Sequence, residues 1–377
     1  MKELSRIVTS YEQTLSTDKK AALATVVKVQ GSSYRRPGAR MLMTDDGRWT
    51  GAISGGCLEG DALRKARQAI LRNQPSVITY DTMDDDNARR LGVGLGCNGI
   101  IDVLIEPMDY LTGQMDLMQV FKNFLSDRKR VAMATIFNVE ENMQEGIGQR
   151  LVMDSRGGEV SNFNIKGLAD LVRPDMQDAL LQGESGIKAY TVPGGRVEVS
   201  LEILHPSIEL IIFGGGYDAA PVVRLGSELG WQVTVTDDCI AHTGSKRFPG
   251  ACQVLHAPRE GVVEQLNISP YTYTVLMSHN YAYDIAVLPS LLKTDIQYIG
   301  ILGPRKRYHK MLEELARGGR PLSESQQARI YSPVGLDLGA ETPDEIALSI
   351  VSEIQMVHTR RKGGALRKKK GHIHESV

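Results

Sequence analysis

The sequence is poor in the features that mark secreted, fibrous or membrane-spanning proteins. Four cysteines in 377 residues are too few for a disulfide framework, and they favour a reducing, cytoplasmic compartment. No run of 18 apolar residues occurs, so we expect no segment to cross a bilayer. The N-terminal stretch MKELSRIVTSYEQTL is charged and helical in period, unlike a secretory signal. With 42% apolar and 24% charged residues, the chain is typical of a globular protein of two or three domains.

The sequence also lacks a strong net charge, but its charges are unevenly distributed. The formal net charge is −1. Residues 360–377 contain seven Lys or Arg and one Glu, so this tail carries +6 and the rest of the chain −7. No aromatic residues are interleaved with the basic ones, so we expect a solvated terminus rather than a nucleic-acid site.

The first 206 residues contain an internal repeat. The segment AALATVVKV at 21–29 is echoed by VAMATIFNV at 131–139, an offset of 110 residues. The residues that recur unchanged at this offset include Gly38, Arg40, Met43 and Gly47. Each copy continues into a helix, at Leu58–Leu71 and at about Leu168–Leu181, and ends in a strand. This self-similarity predicts a duplication, with chance matching as the alternative.

The two copies differ in two loops. The first copy has GSSYRRPGAR at 31–40 and SGGCLEG at 54–60, whereas the second has EENMQEGIGQ and SNFNIKG at comparable places. Because the fold does not need a Gly-Gly-Cys turn, its presence predicts a site in the first copy and a scaffold role for the second.

From Glu209 onwards, strands and helices alternate. The candidate strands are LIIF at 210–213, Gln232–Thr236, Gln253–Leu255, Tyr273–Met277 and Gln297–Ile301. The candidate helices are Ala219–Leu229, Tyr281–Leu292, Lys306–Leu315 and Pro343–Val357. Alternation at this spacing predicts a parallel, doubly wound sheet.

The predicted fold class is therefore α/β, with an N-terminal α+β domain that contains a duplication and a C-terminal Rossmann-like domain. The predicted boundaries are 1–206 for the first domain (halves at about 19–108 and 129–206), 207–359 for the second and 360–377 for the basic tail.

A Gly-rich turn follows the strand at 210–213. In Gly214-x-Gly216-x-x-Ala219, the glycines permit a tight turn and close approach of a pyrophosphate to a helix N-terminus. Asp237 and Asp238 follow about 20 residues later, where an acid could accept a ribose hydroxyl. This order predicts a dinucleotide or similar phosphate-bearing ligand, such as NAD(P). The alternative is a turn that only packs.

The two loops of the first copy supply a second candidate site. Arginine side chains offer planar forks suited to phosphate or pterin edges, and serine hydroxyls with glycine N–H groups can complete an anion nest. The candidate binding residues are Ser32, Ser33, Arg35, Arg36, Arg40, Ser54, Gly55 and Gly56. Cys57 precedes a predicted helix, where the N-terminus favours a thiolate. The alternatives are a cysteine that only packs and arginines that only add surface charge.

The other cysteines are less distinctive. Cys97 lies in a second Gly-rich loop, GVGLGCNG at 92–99, so Cys57 and Cys97 could converge on a metal or carry sulfur. Their spacing does not match a zinc site. For Cys239 and Cys252 we favour packing roles.

The segment SHNYAYD at 278–284 contains a histidine, His279, at the predicted carboxyl edge of the parallel sheet. Arg305 is the first of several basic residues at the start of a predicted helix. Positive charge at a helix N-terminus opposes the helix dipole, so these residues point to an anionic ligand. We predict a catalytic role for His279, against the alternative of a histidine satisfied by a local backbone partner.

Taken together, these segments resemble the XdhC/CoxI family. The motifs that carry the resemblance are RRPGARM (35–41), SGGCLE (54–59), GCNG (96–99), the Gly214–Ala219 turn, FPGA (248–251), SHNYAYD, YIGILGPRKR (298–307) and VGLDLGAETPDEIALSIVSEI (334–354). They fall in order along nearly the whole chain. The chain departs from the family pattern at Cys239, Asn98 and Pro304.

The resemblance implies an accessory protein of molybdenum hydroxylases such as xanthine dehydrogenase and carbon monoxide dehydrogenase. Such a protein binds molybdenum cofactor (molybdopterin), protects it, supports its sulfuration and inserts it into the apo-enzyme. On this interpretation Cys57 and Cys97 contact the cofactor or its molybdenum, and the Arg/Ser loop holds its phosphate or pterin. The expected partners are a xanthine dehydrogenase-type molybdoenzyme and a cysteine desulfurase, with no membrane and a homodimeric assembly.

Two other functions remain open from the sequence. One is an NAD(P)-dependent oxidoreductase that uses the Rossmann half and His279, although no nicotinamide-specific catalytic constellation is visible. The other is an assembly scaffold that docks the dehydrogenase and binds no ligand.

Overall fold

The computed structural model describes residues 1–82, 99–109, 115–140, 143 and 146–370. The chain divides into two compact units, Met1–Pro206 and Ser207–Val377. Within the described residues, no helix combines the length and apolar character needed to cross a membrane.

The first half of the first unit is a five-stranded antiparallel sheet with two helices. Its elements are α1 (Lys2–Leu15), β1 (Ala21–Gly31), β2 (Arg40–Thr44), β3 (Trp49–Gly51), α2 (Glu59–Arg72), β4 (Ser76–Asp81) and β5 (Gly99–Pro107). The strand order is β3-β2-β1-β5-β4. The predicted helices and strands of this half are present, with bounds shifted by a few residues.

The second half repeats this arrangement. Its elements are α3 (Leu117–Asp127), β6 (Val131–Val139), β7 (Arg150–Asp154), β8 (Glu159–Ser161), α4 (Leu168–Gln182), β9 (Gly186–Val192) and β10 (Gly195–Leu204). The strand order is β8-β7-β6-β10-β9, which matches the first half element by element. The same order in both sheets is what a duplication requires.

Each sheet of the first unit buries both faces. One face of the first sheet, with Ala22 and Ala24, packs on α2, and one face of the second sheet, with Ala132 and Ala134, packs on α4. The alternate positions of both sheets, together with α1 and α3, form a shared apolar cluster. Side chains alternate between the two faces of a strand. One face of each sheet therefore packs in the core of its own half, and the other face packs in the core that both halves share.

Two buried ion pairs join the halves. Arg40 of β2 pairs with Glu202 of β10, and Arg150 of β7 pairs with Glu106 of β5; in each pair Nη1 lies 2.9 Å from the glutamate Oε1. The Nη2 atoms contact the second carboxylate oxygens. The side chains of Arg150 and Glu106 are 2% and 0% exposed, and those of Arg40 and Glu202 are 5% and 14% exposed. Each half therefore supplies the arginine for the other half's glutamate.

The second unit is a six-stranded parallel sheet. Its strands are β11 (Glu209–Phe213), β12 (Gln232–Asp237), β13 (Gln253–His256), β14 (Thr272–Leu276), β15 (Ile299–Ile301) and β16 (Ile330–Tyr331). Its helices are α5 (Ala219–Glu228), α6 (Tyr281–Leu292), α7 (Arg305–Arg317), α8 (Glu324–Gln327) and α9 (Pro343–His358). The order β13-β12-β11-β14-β15-β16 confirms the predicted doubly wound, Rossmann-like sheet.

Helices cover both faces of this sheet. Helices α5 and α9 pack with one face, and α6 and α7 pack with the other. Thr342 caps α9: its hydroxyl accepts from the Glu345 N–H, and the Glu345 carboxylate accepts from the Thr342 N–H in return. Strand order reverses between β11 and β14, so the crevice typical of this fold lies at the carboxyl ends of these two strands.

Candidate functional site

The two distinctive loops of the first half come together in the structure. Residues 32–39 connect β1 to β2, and residues 52–58 connect β3 to α2. The ring of Tyr34 lies against Gly55, where a Cβ atom would be 3.6 Å from the ring carbons. Tyr34 is 71% exposed, so the paired loops lie at the surface of the first unit.

The side chains of Ser54 and Glu59 stabilise the Gly-Gly-Cys turn through hydrogen bonds. The Ser54 hydroxyl donates to the Glu59 carboxylate at 2.5 Å and accepts from the backbone N–H groups of Gly56 and Leu58, each at 3.1 Å. The Glu59 carboxylate also accepts from the N–H groups of Ile53 and Ser54, at 3.2 and 2.8 Å. Ser54 and Glu59 are both 5% exposed. A buried polar pair thus fixes the path of an exposed turn.

The electrostatics of this pair favour an ionised Glu59. Burial acts to raise the pKa of its carboxyl group, but the hydrogen bonds from the Ser54 hydroxyl and from backbone N–H groups outweigh burial and hold the pKa below its usual value. The ionised Glu59 carboxylate therefore accepts a hydrogen bond from the Ser54 hydroxyl.

Cys57 sits at the end of this turn. Its half-buried thiol donates to the Ser54 hydroxyl oxygen at 3.5 Å. The preceding Gly56 has φ +115, and no described atom lies within 4 Å of the position its Cβ would take. The backbone beside the thiol is therefore open to a ligand. No three His, Cys, Asp or Glu side chains of the described residues are grouped to hold a metal ion, and Cys97 lies outside the described residues.

The three predicted arginines have different surroundings. The Arg35 guanidinium contacts both carboxylate oxygens of Glu3, at 2.7 and 2.8 Å. Arg40 is 4% exposed and is committed to Glu202, so its guanidinium is not available to a surface ligand. This placement corrects the prediction that Arg40 binds a cofactor. Arg36 is exposed on the loop.

The predicted serines lie on the same surface. Ser32 is exposed and Ser33 is half-buried, both next to Tyr34. The backbone carbonyl of Ser32 packs so closely on Gly99 that a Cβ atom there would lie 2.4 Å from it. Gly99 therefore permits the close approach of β5 to the loop.

The corresponding loop of the second half is built differently. Asn162 Oδ1 accepts from the Arg150 N–H at 2.5 Å, and the side chain of Gln149 accepts from the Asn164 N–H at 2.9 Å. Phe163 and Ile165 pack on the core of this half. At the offset of 110 residues, Ile165 stands where the first half has Gly55, and Gly167 stands where it has Cys57.

In the second unit, the Gly-rich turn lies at the crevice. Gly214 has φ +128, and a Cβ atom there would lie 2.5 Å from the backbone of Ser278. Its N–H donates to the carbonyl of Thr236 at 2.7 Å. Glycine is required because the end of β11 passes directly against the chain that follows β14.

The predicted ribose acceptors are already engaged. Asp237 is 4% exposed, and its carboxylate accepts from the N–H groups of Gly215 at 2.7 Å and Cys239 at 2.8 Å. The same carboxylate lies 3.1 Å from Nδ1 of His242, and Asp238 pairs with Arg259 at 3.3 Å. Both acids thus stabilise the loop after β12.

His279 is placed at this crevice by its backbone and by one carboxylate. Its φ of +59 is unusual for a residue other than glycine, and its Nε2 lies 2.8 Å from Oδ2 of Asp218. Gly216 lies below the pair, since a Cβ atom there would be 2.7 Å from Asp218 and 3.6 Å from His279. Asp218 was not predicted as a site residue. Its only sequence signal is its position just before α5, where an acid suits the helix dipole.

The basic start of α7 divides into two environments. Arg305 is exposed. Arg307 donates to the fully buried Asp284 at 2.7 Å, and the Ser278 hydroxyl donates to the other oxygen of Asp284 at 2.6 Å. Burial raises the pKa of Asp284, although these hydrogen bonds oppose the shift. Arg307 therefore supports the loop of His279, and Arg305 is the arginine that faces solvent.

The fold and the site define a class of protein: a duplicated α+β unit with a buttressed Gly-Gly-Cys turn, followed by a Rossmann-like unit. Residues 210–354 match the XdhC Rossmann domain, and residues 15–81 match the XdhC and CoxI family. The chain belongs to the XdhC and CoxI family.

Relatives match along almost the entire chain. A Bacillus subtilis protein, named as a probable subunit of xanthine dehydrogenase, is 30% identical over 354 residues, 94% of this chain and 97% of the relative. The Escherichia coli molybdenum cofactor insertion chaperone PaoD is 23% identical over 93% of this chain and 87% of its own length. The crystal structure of a xanthine dehydrogenase from Bacillus halodurans has a TM-score of 0.74 and 29% identity, and the match covers 95% of this chain and 98% of that one.

Proposed function

We propose that this protein is an accessory protein of a molybdenum hydroxylase, and that it binds molybdenum cofactor and inserts it into a xanthine dehydrogenase-type apo-enzyme. The observation that carries the proposal is the match, over nearly the full chain, to relatives named for xanthine dehydrogenase and for molybdenum cofactor insertion. The cofactor is the cargo of such a protein, which acts by binding and release rather than by turnover.

The Gly-Gly-Cys turn is the place we propose for the cargo. A cysteine thiolate is a good metal ligand, and the open backbone at Gly56 leaves room beside the Cys57 sulfur. Arg36 lies exposed on the loop between β1 and β2, and an arginine side chain has the geometry to form two hydrogen bonds to a phosphate. The Ser32 and Ser33 hydroxyls offer further donors. Ser54 and Glu59 hold the turn in place before any cargo binds.

Finer features of the role follow from the same proposal. The protein protects the cofactor and supports its sulfuration, with a cysteine desulfurase as the source of sulfur and Cys97 as a second thiol. It acts in the cytoplasm as a homodimer, the commonest assembly of soluble oligomers. The two units serve as separate domains.

A nicotinamide-dependent oxidoreductase is the weaker alternative. Its support is the Gly214–Gly216 turn with the His279–Asp218 pair beside it. Against it, the carboxylate that would accept a ribose hydroxyl is occupied by Gly215, Cys239 and His242. Asp218 also places a negative charge next to Gly216, where a pyrophosphate would approach. The crevice therefore favours a ligand other than a dinucleotide.

The proposal is tested by native mass spectrometry of protein purified from cells that make molybdenum cofactor. We expect bound cofactor in the unmodified protein and in Cys252→Ser, because Cys252 lies in the other unit. Cys57→Ser should retain at least about tenfold less, since it removes the proposed sulfur ligand. It should also activate a xanthine dehydrogenase-type apo-enzyme more slowly.

Two results would count against this assignment. If Cys57→Ser retains as much cofactor as Cys252→Ser, the cargo does not bind at this turn. If the purified protein holds NAD(P) and no pterin, the result would favour the oxidoreductase over the accessory role.

A further inference from the structure

A groove of about 730 Å³ lies between α1 and the β2–β3 hairpin, and the proposed function does not use it. One wall is a face of α1, and the other is formed by the hairpin. The lining residues are Ser10, Gln13, Thr14, Thr17, Leu42, Thr44, Gly47, Arg48, Trp49 and Thr50. This volume is within the range of about 300–1,000 Å³ that small-molecule sites have.

The threonines of the groove present acceptors rather than donors. Thr14 and Thr17 donate their hydroxyl protons to helix carbonyls at 2.8 Å. Thr44 donates to the Asp46 carboxylate, and Thr50 donates to the Ser10 hydroxyl at 3.0 Å, which ties the hairpin to the helix. With these protons engaged, the hydroxyl oxygens keep lone pairs for a ligand. The wall therefore suits a ligand that brings N–H or O–H donors.

Trp49 supplies a flat apolar surface at the same place. It is 53% exposed on the edge strand β3, although tryptophan is usually well buried. Within the part of the chain that the structure describes, its indole N–H has no hydrogen-bond partner. An exposed indole can stack on a planar ring, as aromatic side chains do on bases in nucleic-acid sites.

The charged residue of the groove is held by a carboxylate beside it. Arg48 is the charged residue of the lining, and its Nε lies 3.0 Å from Oδ2 of Asp46. Lys19 contacts the same carboxylate at 2.5 Å. The side-chain hydrogen bond from Lys19, followed by those from Thr44 and Arg48, lowers the pKa of Asp46, so the carboxylate stays ionised and offsets one of the two cations. Because Asp46 holds the Arg48 guanidinium, this side chain is less available to a phosphate.

The second half has different residues at the corresponding positions. At the offset of 110 residues, Trp49 corresponds to Glu159 and Thr44 to Asp154. The Glu159 carboxylate is bound by Arg173 at 2.9 and 3.0 Å. Trp49 and Thr44 are therefore particular to the half that also carries the Gly-Gly-Cys turn.

We propose that this groove binds a neutral, planar, amino-substituted heterocycle, stacked on Trp49 with its donor groups directed at the threonine hydroxyls. Both a guanine-type nucleoside and a pterin have this chemistry. The proposal concerns free heterocycles, so its failure would leave the cofactor-insertion role untouched.

Isothermal titration calorimetry with guanosine and with 6-hydroxymethylpterin tests the proposal. We expect saturable binding of at least one of them, with Kd below about 1 mM and weakening of at least about fivefold in Trp49→Ala, because this variant removes the stacking surface. Tighter binding of guanosine would identify a nucleoside as the ligand, and tighter binding of the pterin would identify a pterin. Trp49→Phe should retain most of the affinity, because it keeps an aromatic face.

The chain's two tryptophans allow a second readout. Trp231 is 6% exposed in the other unit, so Trp231→Phe leaves Trp49 as the fluorescent reporter without altering the groove. Guanosine should quench this fluorescence saturably. Absence of binding by both heterocycles at millimolar concentration, equal affinity in Trp49→Ala, or equally tight binding of maltose would overturn the proposal.

Discussion

The two halves of the first unit have the same strands in the same order, yet the loops before their second helices have different residues. In the first half, the loop before α2 is a Gly-Gly-Cys turn held by the buried Ser54–Glu59 pair, with open space at Gly56. In the second half, the loop before α4 has no cysteine, and its Phe163 and Ile165 pack on the core of that half. The frame was kept in both copies, while the loops diverged.

The reason the frame stays alike is visible at the buried ion pairs. Each arginine is fixed by a glutamate of the other half and by the carbonyl of its own preceding glycine, Gly38 or Gly148. A Cβ atom at either glycine would lie 2.6 Å from the partner carboxylate. Replacing one residue of an ion pair would leave the other as a buried charge without a partner. Both halves are therefore constrained to the same geometry at these pairs. The exposed loops carry no such constraint.

The largest expected effect concerns the shared frame. Glu106→Gln should lower the free energy of unfolding of the first unit by about 3–5 kcal/mol, because it leaves Arg150 buried without a countercharge. Glu202→Gln should cost less, since Glu202 is 14% exposed and Glu106 is 0% exposed. Urea denaturation followed by Trp49 fluorescence in the Trp231→Phe background measures both.

The double variant Glu106→Leu with Arg150→Met is the control for this test. It removes both charges and should recover part of the lost stability. Equal and small effects of Glu106→Gln and Glu202→Gln would show that the ion pairs do not hold the halves together.

The next effect separates the two loops. Ser54→Ala should destabilise the first unit by about 1–3 kcal/mol, because it removes a donor from the buried Glu59 carboxylate and the acceptor of the Gly56 N–H, while the Leu58 N–H keeps Glu59 as an acceptor. Ser161→Ala, in the second half, removes a hydroxyl from an exposed strand and should cost less than about 0.5 kcal/mol. Urea denaturation compares them, and equal costs would mean that the first turn is not specially supported.

A smaller effect distinguishes strain from function. Gly56 and Gly157 have φ of +115 and +89, and a Cβ atom at either would meet no described atom within 4 Å. Alanine at either position should therefore cost about 1 kcal/mol from backbone strain alone. Under the proposed function, only Gly56→Ala should also reduce the cofactor retained in native mass spectrometry. Equal retention in both variants would place the cargo elsewhere.

The smallest expected effect is a dependence on pH. The pKa of Glu59 is lowered in the folded chain, so its contribution to stability is present above its ordinary value of 4.5 and is lost as pH falls through the folded value. Denaturation midpoints between pH 6 and 3 should therefore fall more steeply for the unmodified protein than for Glu59→Gln. Parallel curves would show that Glu59 is not stabilised in its ionised form.

Much of the architecture could be predicted because its signals are local or periodic. The echo of residues 21–29 at 131–139 predicted two similar halves, and the alternation after Glu209 predicted the parallel sheet. The capping of α9 by Thr342 was readable from adjacent residues. The helix α3 and the short strand β16 were not predicted, since each is short and its neighbours in space are distant in sequence.

The roles of single charged residues were much harder to predict. Arg40 shares a loop motif with Arg35 and Arg36, yet its partner Glu202 lies 162 residues away. Asp218 precedes a helix as many caps do, yet its carboxylate meets His279 after a separation of 61 residues. Nothing in the local sequence distinguishes these residues from their neighbours.

By itself, the sequence determined the α/β class, the duplicated halves and the turn in which Cys57 lies, because apolar periodicity, glycine and helix caps act over a few residues. Only the tertiary structure decided which charges are buried partners and which face solvent. That outcome depends on which strands meet, and the free-energy cost of an unpaired buried charge selects the pairs. The same long-range packing placed Trp49 beside α1 and left its counterpart Glu159 in an ion pair with Arg173.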